Sequence, residues 1–362
     1  MSAAAHDTAA TRLERLIRPE VRAMQPYAVQ ASDGLIKLDA MENPFTLPPA
    51  LQAALGQRLG QVALNRYPGS RVDDLRAALR RHAEVPDDWG LVLGNGSDEL
   101  ITLLGVACDQ PGAVVLAPVP GFVMYELSAR LQGLPFVGVP LQADFELDEA
   151  AMLAAIQAHR PAIIYLACPN NPTANLFDAG AVERIVQAAP GLVVMDEAYQ
   201  PFASRDHLAL ARRHSNVLVM RTLSKFGLAG VRLGYLLGPK AWIDEIDKVR
   251  PPYNVSVLNT EAALFALEHA EEFARQAGLI RTERERLAQA LRALGLQPCP
   301  SEANMMLVRV PDAPAAFAQL KRRGVLVKDV SRQHALLANC LRLTVGTPQE
   351  NDVLISALKA SL

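Results

Sequence analysis

Leu192-Val193-Val194-Met195-Asp196-Glu197-Ala198-Tyr199 and, further on, Val217-Leu218-Val219-Met220-Arg221-Thr222-Leu223-Ser224-Lys225 are two short apolar runs that each end in charge. A run of this length without polar alternation reads as a strand buried on both faces, the kind a parallel sheet covered by helices contains. Similar runs at Gly90–Leu93, Ala113–Ala117, Pro135–Gly138, Ala162–Ala167 and Gly234–Leu237 alternate with helical patterns at Asp98–Cys108, Val123–Leu131, Asp148–Ala158 and Ala179–Ala188. Repeated βαβ units, and so an α/β fold with a mostly parallel sheet flanked by helices, follow from that alternation. In such a sheet ligands gather beyond the carboxyl ends of the strands, so Asp196 and Lys225 face one crevice. A lysine is by default a snorkelling surface residue. One that follows a buried strand beside Arg221 and Arg232 has its ammonium form disfavoured by lost solvation and like charge, which leaves an amine able to attack an aldehyde. Asp196 alone reads equally as the N-cap of a following helix.

The chain has 362 residues, beyond the roughly 250–300 that one core sustains, so two subdomains are expected. The division runs as an amino-terminal arm over 1–35, a large domain over 36–255 and a smaller α+β domain over 256–362. The last opens on a long amphipathic helical stretch near Asn259–Leu294 and carries strands at Met305–Arg309 and Cys340–Val345. Asn43–Tyr67 crosses from the arm into the large domain. Half the residues are apolar and the net charge is −2, which speaks against a nucleic-acid or polyanion surface. Four scattered cysteines without a C-x-x-C, and seven histidines without a ligand cluster, argue against zinc and disulfides and suit a reducing cytoplasm. Met1–Arg12 carries His6, Asp7 and Arg12 and lacks the apolar core of a signal peptide. No stretch reaches the roughly 18 apolar residues of a membrane span.

A phosphate-sized anion has a place in Leu93-Gly94-Asn95-Gly96-Ser97-Asp98-Glu99-Leu100, a glycine turn between strand and helix. Gly96, Ser97 and Asp98 offer backbone N–H groups at the positive end of the helix dipole. It also reads as a plain tight turn; Glu99 occupies the place of the third glycine of a dinucleotide fingerprint. The hydroxyl of Ser224 and the guanidinium of Arg232 suit phosphate oxygens. Asp196, with Tyr199 three residues on, suits a pyridinium nitrogen and a phenolic oxygen, and with Lys225 points to pyridoxal phosphate.

On these motifs the chain resembles the pyridoxal-phosphate aminotransferases of the aspartate-aminotransferase fold, and within them the histidinol-phosphate aminotransferase family, from about Ile17 to Ala357. The resemblance implies pyridoxal 5'-phosphate attached at Lys225, with Asp196 on the ring nitrogen and Tyr199 near the phenolic oxygen. In Cys168-Pro169-Asn170-Asn171-Pro172-Thr173 it gives Asn171 to that same oxygen, against the reading of an ordinary Asn/Pro loop. In Pro118-Val119-Pro120-Gly121-Phe122 it stacks Phe122 on the ring, although a lone Phe is by default core. Cis peptides are implied before Pro120 and Pro172. Tyr67, in Asn65-Arg66-Tyr67-Pro68, matches the tyrosine that reaches the phosphate from a partner subunit, which implies a homodimer with shared sites; a turn-associated tyrosine is the default.

The resemblance further implies ping-pong transfer from histidinol phosphate to 2-oxoglutarate, giving glutamate, with Lys225 carrying the proton. Arg342, in Cys340-Leu341-Arg342-Leu343, matches an anion-binding arginine. Lys328 stands where many relatives carry a second, a change that keeps the charge and loses the bidentate fork. Tyr27 and Asn43 resemble residues that close over the substrate, and arm packing or a turn explains each equally well. The chain departs from the pattern at Ala174, which replaces a glycine, at Asp39 and Met41, and in the interval from Lys225 to Arg232. An aromatic amino-acid aminotransferase would use the same lysine, aspartate and Arg342, and a decarboxylase or lyase of the same fold would share the anchor.

Overall fold

The computed structural model describes residues 8–26 and 29–361. Chain order gives β1 (Ile36–Lys37), β2 (Trp89–Gly94), β3 (Val115–Val119), β4 (Phe136–Pro140), β5 (Ile163–Ala167), β6 (Leu192–Asp196), β7 (Val217–Thr222), β8 (Gly234–Pro239), β9 (Gln297–Pro298), β10 (Met305–Arg309), β11 (Val325–Leu326), β12 (Lys328–Asp329) and β13 (Cys340–Thr344). A seven-stranded sheet runs in the order β2-β8-β7-β6-β5-β3-β4. All its pairs are parallel except those of β8, which runs against both β2 and β7. The mostly parallel sheet expected from the sequence is present, with Gly234–Pro239 as its one reversed strand.

Alternation along each strand divides the core into two layers. Val193 and Met195 of β6, with Val217 and Val219 of β7, pack under helices that include Arg71–His82, Glu149–His159 and Ala179–Ala188. Leu192 and Val194, with Leu218 and Met220, pack on the other face under Ser97–Ala107, Met124–Gln132 and Lys240–Asp247. Successive side chains leave a strand on opposite faces, so a run apolar at every position requires a covered sheet. Burying each such side chain contributes about 1.5–3 kcal/mol.

The chain leaves β3 for the edge strand β4 and then returns to β5 on the other side of β3. The loops after β3 and β5 diverge at that switch and leave a crevice at the carboxyl edge of the sheet. Asp196, last in β6, sits opposite Ala167 of β5 and Met220 of β7.

The smaller sheet is antiparallel in the order β12-β13-β10-β9 and shares a core with the helices Ala313–Arg322 and Pro348–Lys359. Contacts cut across the division expected at 255/256, among them two between regular elements. The helix Val257–Glu268 packs on Pro49–Gly60 and Arg71–His82, and β1 pairs with β11. The single helical stretch expected near Asn259–Leu294 is two helices, Val257–Glu268 and Ala270–Ala293. The break falls at His269, whose φ of −116° and ψ of 32° leave the helical range while its ring lies on Phe265 at 4.5 Å.

Glu261 clamps the first of these helices to its neighbours, accepting from Arg71 at 2.6 Å and from Arg58 at 2.8 Å. The hydrogen bond from Arg71 is the largest influence holding its carboxyl down at about 2, with Arg58 adding and burial opposing. A depressed carboxylate stabilises the fold above its unfolded value of about 4.3, and that stability is lost as pH falls through the folded value. Urea unfolding of the wild type and Glu261→Gln is expected to show a stability gap that closes from about pH 5 to about pH 2. A gap independent of pH would show that the charge does not hold these helices.

Candidate active site

Buried groups from the ends of β6 and β7 open into one cavity of about 310 Å³. Among its lining residues are Ser97, Asp98, Phe122, Asn171, Asp196, Tyr199, Ser224, Lys225 and Arg232, all singled out from the sequence. They come together because the ends of β2, β3, β5, β6 and β7 reach the same edge of the sheet.

Lys225 lies in the turn Ser224–Leu228, where Gly227 at φ 140° lets the chain reverse. A Cβ there would stand 2.8 Å from Phe273. The ammonium donates to the carbonyl oxygen of Ala40 at 3.1 Å and lies 5.9 Å from the centroid of the Tyr199 ring. Burial pulls its pKa down to about 8, with Arg342 and then Arg232 lowering it and Glu42 opposing. Arg221, expected from the sequence as a cation that disfavours the Lys225 ammonium, is not among the groups that act on it. It stands between Met220 and Thr222 on β7, and alternation turns it to the other face. There it donates to Glu197 at 2.9 Å and to Asp206 at 3.1 Å.

Asp196 accepts two hydrogen bonds, from Tyr125 Oη at 2.6 Å and from the Ala198 amide at 3.0 Å. Burial raises its carboxyl to about 6, and both donors oppose that rise. Tyr125 was not singled out in the sequence. Its signal is its place one turn beyond Phe122, against whose ring it lies edge-on at 5.6 Å, with Tyr165 stacked on its other side at 4.4 Å.

At the far end of the cavity the helix Ser97–Ala107 begins without a side-chain cap, and Gly96 takes φ 83°. The Arg232 guanidinium lies so close to Gly96 that a Cβ there would meet Nη2 at 2.7 Å. Arg232 also donates to Ser224 Oγ at 3.4 Å and stands 3.6 Å from Asp98. Gly234 allows the turn to approach, since its Cβ would fall 2.8 Å from the Ser97 nitrogen. Uncapped amides beside a guanidinium and a hydroxyl form an anion seat. A cavity with that seat at one end, a buried carboxylate in its floor and a buried amine between fits pyridoxal phosphate.

Other predicted residues lie elsewhere. Arg342 does not line the cavity but donates to Asn171 Oδ1 and to the Asp39 carbonyl, each at 2.7 Å. Lys328 of β12 pairs with Arg342 in the small sheet and is half-buried away from the lining. The Asn43 amide donates to Gln276 of the helix Ala270–Ala293 and accepts from the Phe45 amide in a local turn, both at 2.9 Å. Tyr67 is 77% exposed, away from the cavity, and stacks on Tyr253 at 4.5 Å. Tyr27 lies outside the described residues. Cis peptides precede Pro120 and Pro172, as the resemblance implied, and also Pro169.

Fold and cavity define an enzyme of the aminotransferase class, and residues 33–358 match the family Aminotransferase class I and II, to which the chain belongs. Over 98% of its length the chain is 70% identical to histidinol-phosphate aminotransferase of Methylibium petroleiphilum, covering 96% of that protein. It is 64% identical to the enzyme of the same name from Paracidovorax citrulli, over 98% of this chain and all of that one. The crystal structure of histidinol-phosphate aminotransferase from Sinorhizobium meliloti in complex with pyridoxal-5'-phosphate matches with a TM-score of 0.84 at 27% identity, over 96% of this chain and 97% of that one. Within the class the chain is a member of the histidinol-phosphate aminotransferase family.

The hydrogen bond from Tyr125 addresses the charged form of Asp196. Because the folded pKa is raised, Asp196 contributes stability below about pH 4 that is lost as pH rises through about 6. Bonds to charged groups exceed neutral ones by about 1 kcal/mol. Tyr125→Phe in the apoprotein is therefore expected to cost about 1 kcal/mol more at pH 8 than at pH 5 by denaturant unfolding. Equal costs at the two pH values would show that Tyr125 does not hold the carboxylate.

Proposed function

We propose that the chain transfers the amino group of histidinol phosphate to 2-oxoglutarate, with pyridoxal 5'-phosphate held in the cavity at the ends of β6 and β7. The observation that carries this reading is the placement of Lys225 together with the buried Asp196 in one cavity, in a chain 70% identical to a histidinol-phosphate aminotransferase. The reading places the enzyme in histidine biosynthesis and in the cytoplasm; no described helix is long and apolar enough to cross a membrane.

Lys225 would anchor the cofactor, and Gly96, Ser97, Asp98, Ser224 and Arg232 would hold its phosphate. Asp196 would serve the ring nitrogen, Phe122 the ring, and Asn171 and Tyr199 the phenolic oxygen. When bound, the cofactor supplies an electron sink that acidifies the proton on the substrate carbon bearing the amine. Lys225 moves that proton. With a pKa near 8 its amine holds an appreciable unprotonated fraction at neutral pH, as a base must. Asp196 stays charged above about pH 6 and so can hold a proton on the ring nitrogen through the physiological range. Arg342 fixes Asn171 by its hydrogen bond and adds positive charge where anionic substrate groups arrive.

Tyr67 completes the site of a second copy in this reading, and the active unit is a homodimer. Its support is that Tyr67 and Tyr253, at 77% and 57% exposure, form a stacked aromatic pair on the outside of the single chain.

Attachment of added pyridoxal phosphate to the apoprotein needs the free amine, so its initial rate is expected to rise with pH about a midpoint near 8, rather than the 10.4 or so of an ordinary lysine. The absorbance of the attached cofactor follows it, and Lys225→Ala abolishes it. The loaded enzyme should convert histidinol phosphate and 2-oxoglutarate to glutamate faster than it converts phenylalanine. The reverse order would replace this reading with an aromatic amino-acid aminotransferase.

A further inference from the structure

Three carboxylates line the cavity: Asp98, Asp196 and Glu42. Asp98 stands against Arg232 at the anion seat, and Asp196 lies in the floor beneath Tyr125. Glu42 has no place in the reaction as described. Its side chain is 45% exposed, and it accepts from Lys37, whose ammonium also lies 3.7 Å from Asp39.

A carboxylate is a liability in a cavity that must receive a phosphate ester and a dicarboxylate, because it repels both. The backbone nevertheless holds it there. Met41 adopts φ 53°, a conformation that costs a non-glycine residue on the order of 1–3 kcal/mol. Its amide donates to Thr344 Oγ1 at 3.0 Å, and its carbonyl accepts from the buried Asn304 at 2.9 Å. A strained residue pinned on both sides fixes where the next one stands. Lys37 offsets the charge of Glu42 without removing it from the lining.

What a carboxylate recognises is a cation or a strong N–H donor. The substrate of the proposed reaction carries one such group that no residue assigned above receives, the imidazole ring, which is an N–H donor in its neutral form and a cation when protonated. We infer that Glu42 accepts a hydrogen bond from the imidazole of the substrate and so sets the preference for an imidazole-bearing amine over a purely aromatic one. The inference rests on the function proposed above. In the glutamate half-reaction, where no such donor is present, Lys37 remains the partner of Glu42. Selectivity then comes from an acceptor that an aromatic ring leaves unpaired, and sites that hydrogen-bond a substrate discriminate more sharply than apolar pockets do.

The test compares single half-reactions of the holoenzyme with histidinol phosphate, glutamate and phenylalanine, each followed by the cofactor spectrum, for the wild type, Glu42→Gln and Glu42→Asp. In Glu42→Gln the rate constant per unit concentration for histidinol phosphate should fall about tenfold or more relative to both glutamate and phenylalanine. Glu42→Asp, which keeps the charge on a shorter stem, should recover part of the loss and serves as the second variant if the amide folds poorly. Ratios within twofold of the wild type would overturn the inference. So would a common fall for all three substrates, because Glu42 would then act on Lys225 rather than on the substrate ring. A wild-type enzyme that fails to convert histidinol phosphate brings down the proposed function and this inference with it, whereas conversion with unmoved ratios brings down the inference alone.

Discussion

Asp196 and Lys225 are both taken out of water at the edge of one sheet, and the surrounding structure must meet the cost of that desolvation. An ionised group in an apolar setting is expensive unless it is hydrogen-bonded or paired. The two are not paired with each other. Each is held by donors or acceptors from other segments: Tyr125 and the Ala198 amide for the acid, the Ala40 carbonyl for the amine. Burial moves both pKa values toward neutrality, against the two donors in the case of the acid, one up to about 6 and the other down to about 8. That convergence lets the carboxylate stay charged and the amine be partly free at the same pH, which is what acid–base work on a bound ring demands.

A second charged layer lies on the opposite face of the same strand ends. Glu197, the residue after Asp196, accepts from the His207 amide at 2.5 Å and from Arg221 Nη2 at 2.8 Å, and Arg221 also reaches Asp206. A buried carboxylate with one guanidinium and one amide donor is satisfied, and removing either partner strands a charge. Strand alternation thus assigns neighbouring residues to different tasks. Asp196 and Thr222 face the cavity, while Glu197 and Arg221 tie β6 and β7 together behind it.

The strand ends were legible in the sequence because a buried parallel strand is apolar at every position and any charge beside it stands out. Leu192–Asp196 was located to the residue, and the glycine turn before Ser97 carried its anion seat in its spacing. Direction along a strand was not legible in the same way. Arg221 and Lys225 read alike as cations near one crevice, and only the pleat separates them. The reversal of β8 and the break at His269 depend on packing partners distant in the chain. Tyr125 escaped notice because an aromatic near a helix start is ordinary, and its meaning comes from Asp196, which follows much later in the sequence. Asn43 and Arg342 match substrate contacts by resemblance alone, and in the single chain their polar atoms are engaged by Gln276, Phe45, Asn171 and Asp39, partners distant in the chain for all but Phe45.

These bonds converge on the short segment from Asp39 to Asn43. The Asp39 carbonyl accepts from Arg342, the Ala40 carbonyl from Lys225, and the Met41 amide and carbonyl are held by Thr344 and Asn304. A segment with almost no regular structure of its own thereby joins the amine of the large sheet to the arginine of the small one. Arg342 in turn holds Asn171 at the end of β5, closing a circuit from one subdomain through the segment to the other. A shift of the small sheet would therefore reach Lys225 through a single carbonyl and Asn171 through a single guanidinium. The lysine is set by its strand and its solvation, but the pocket above it is set by how the two subdomains hold this segment between them. A change along the segment or its bracketing residues can therefore reshape the pocket while the buried acid and the amine stay in place.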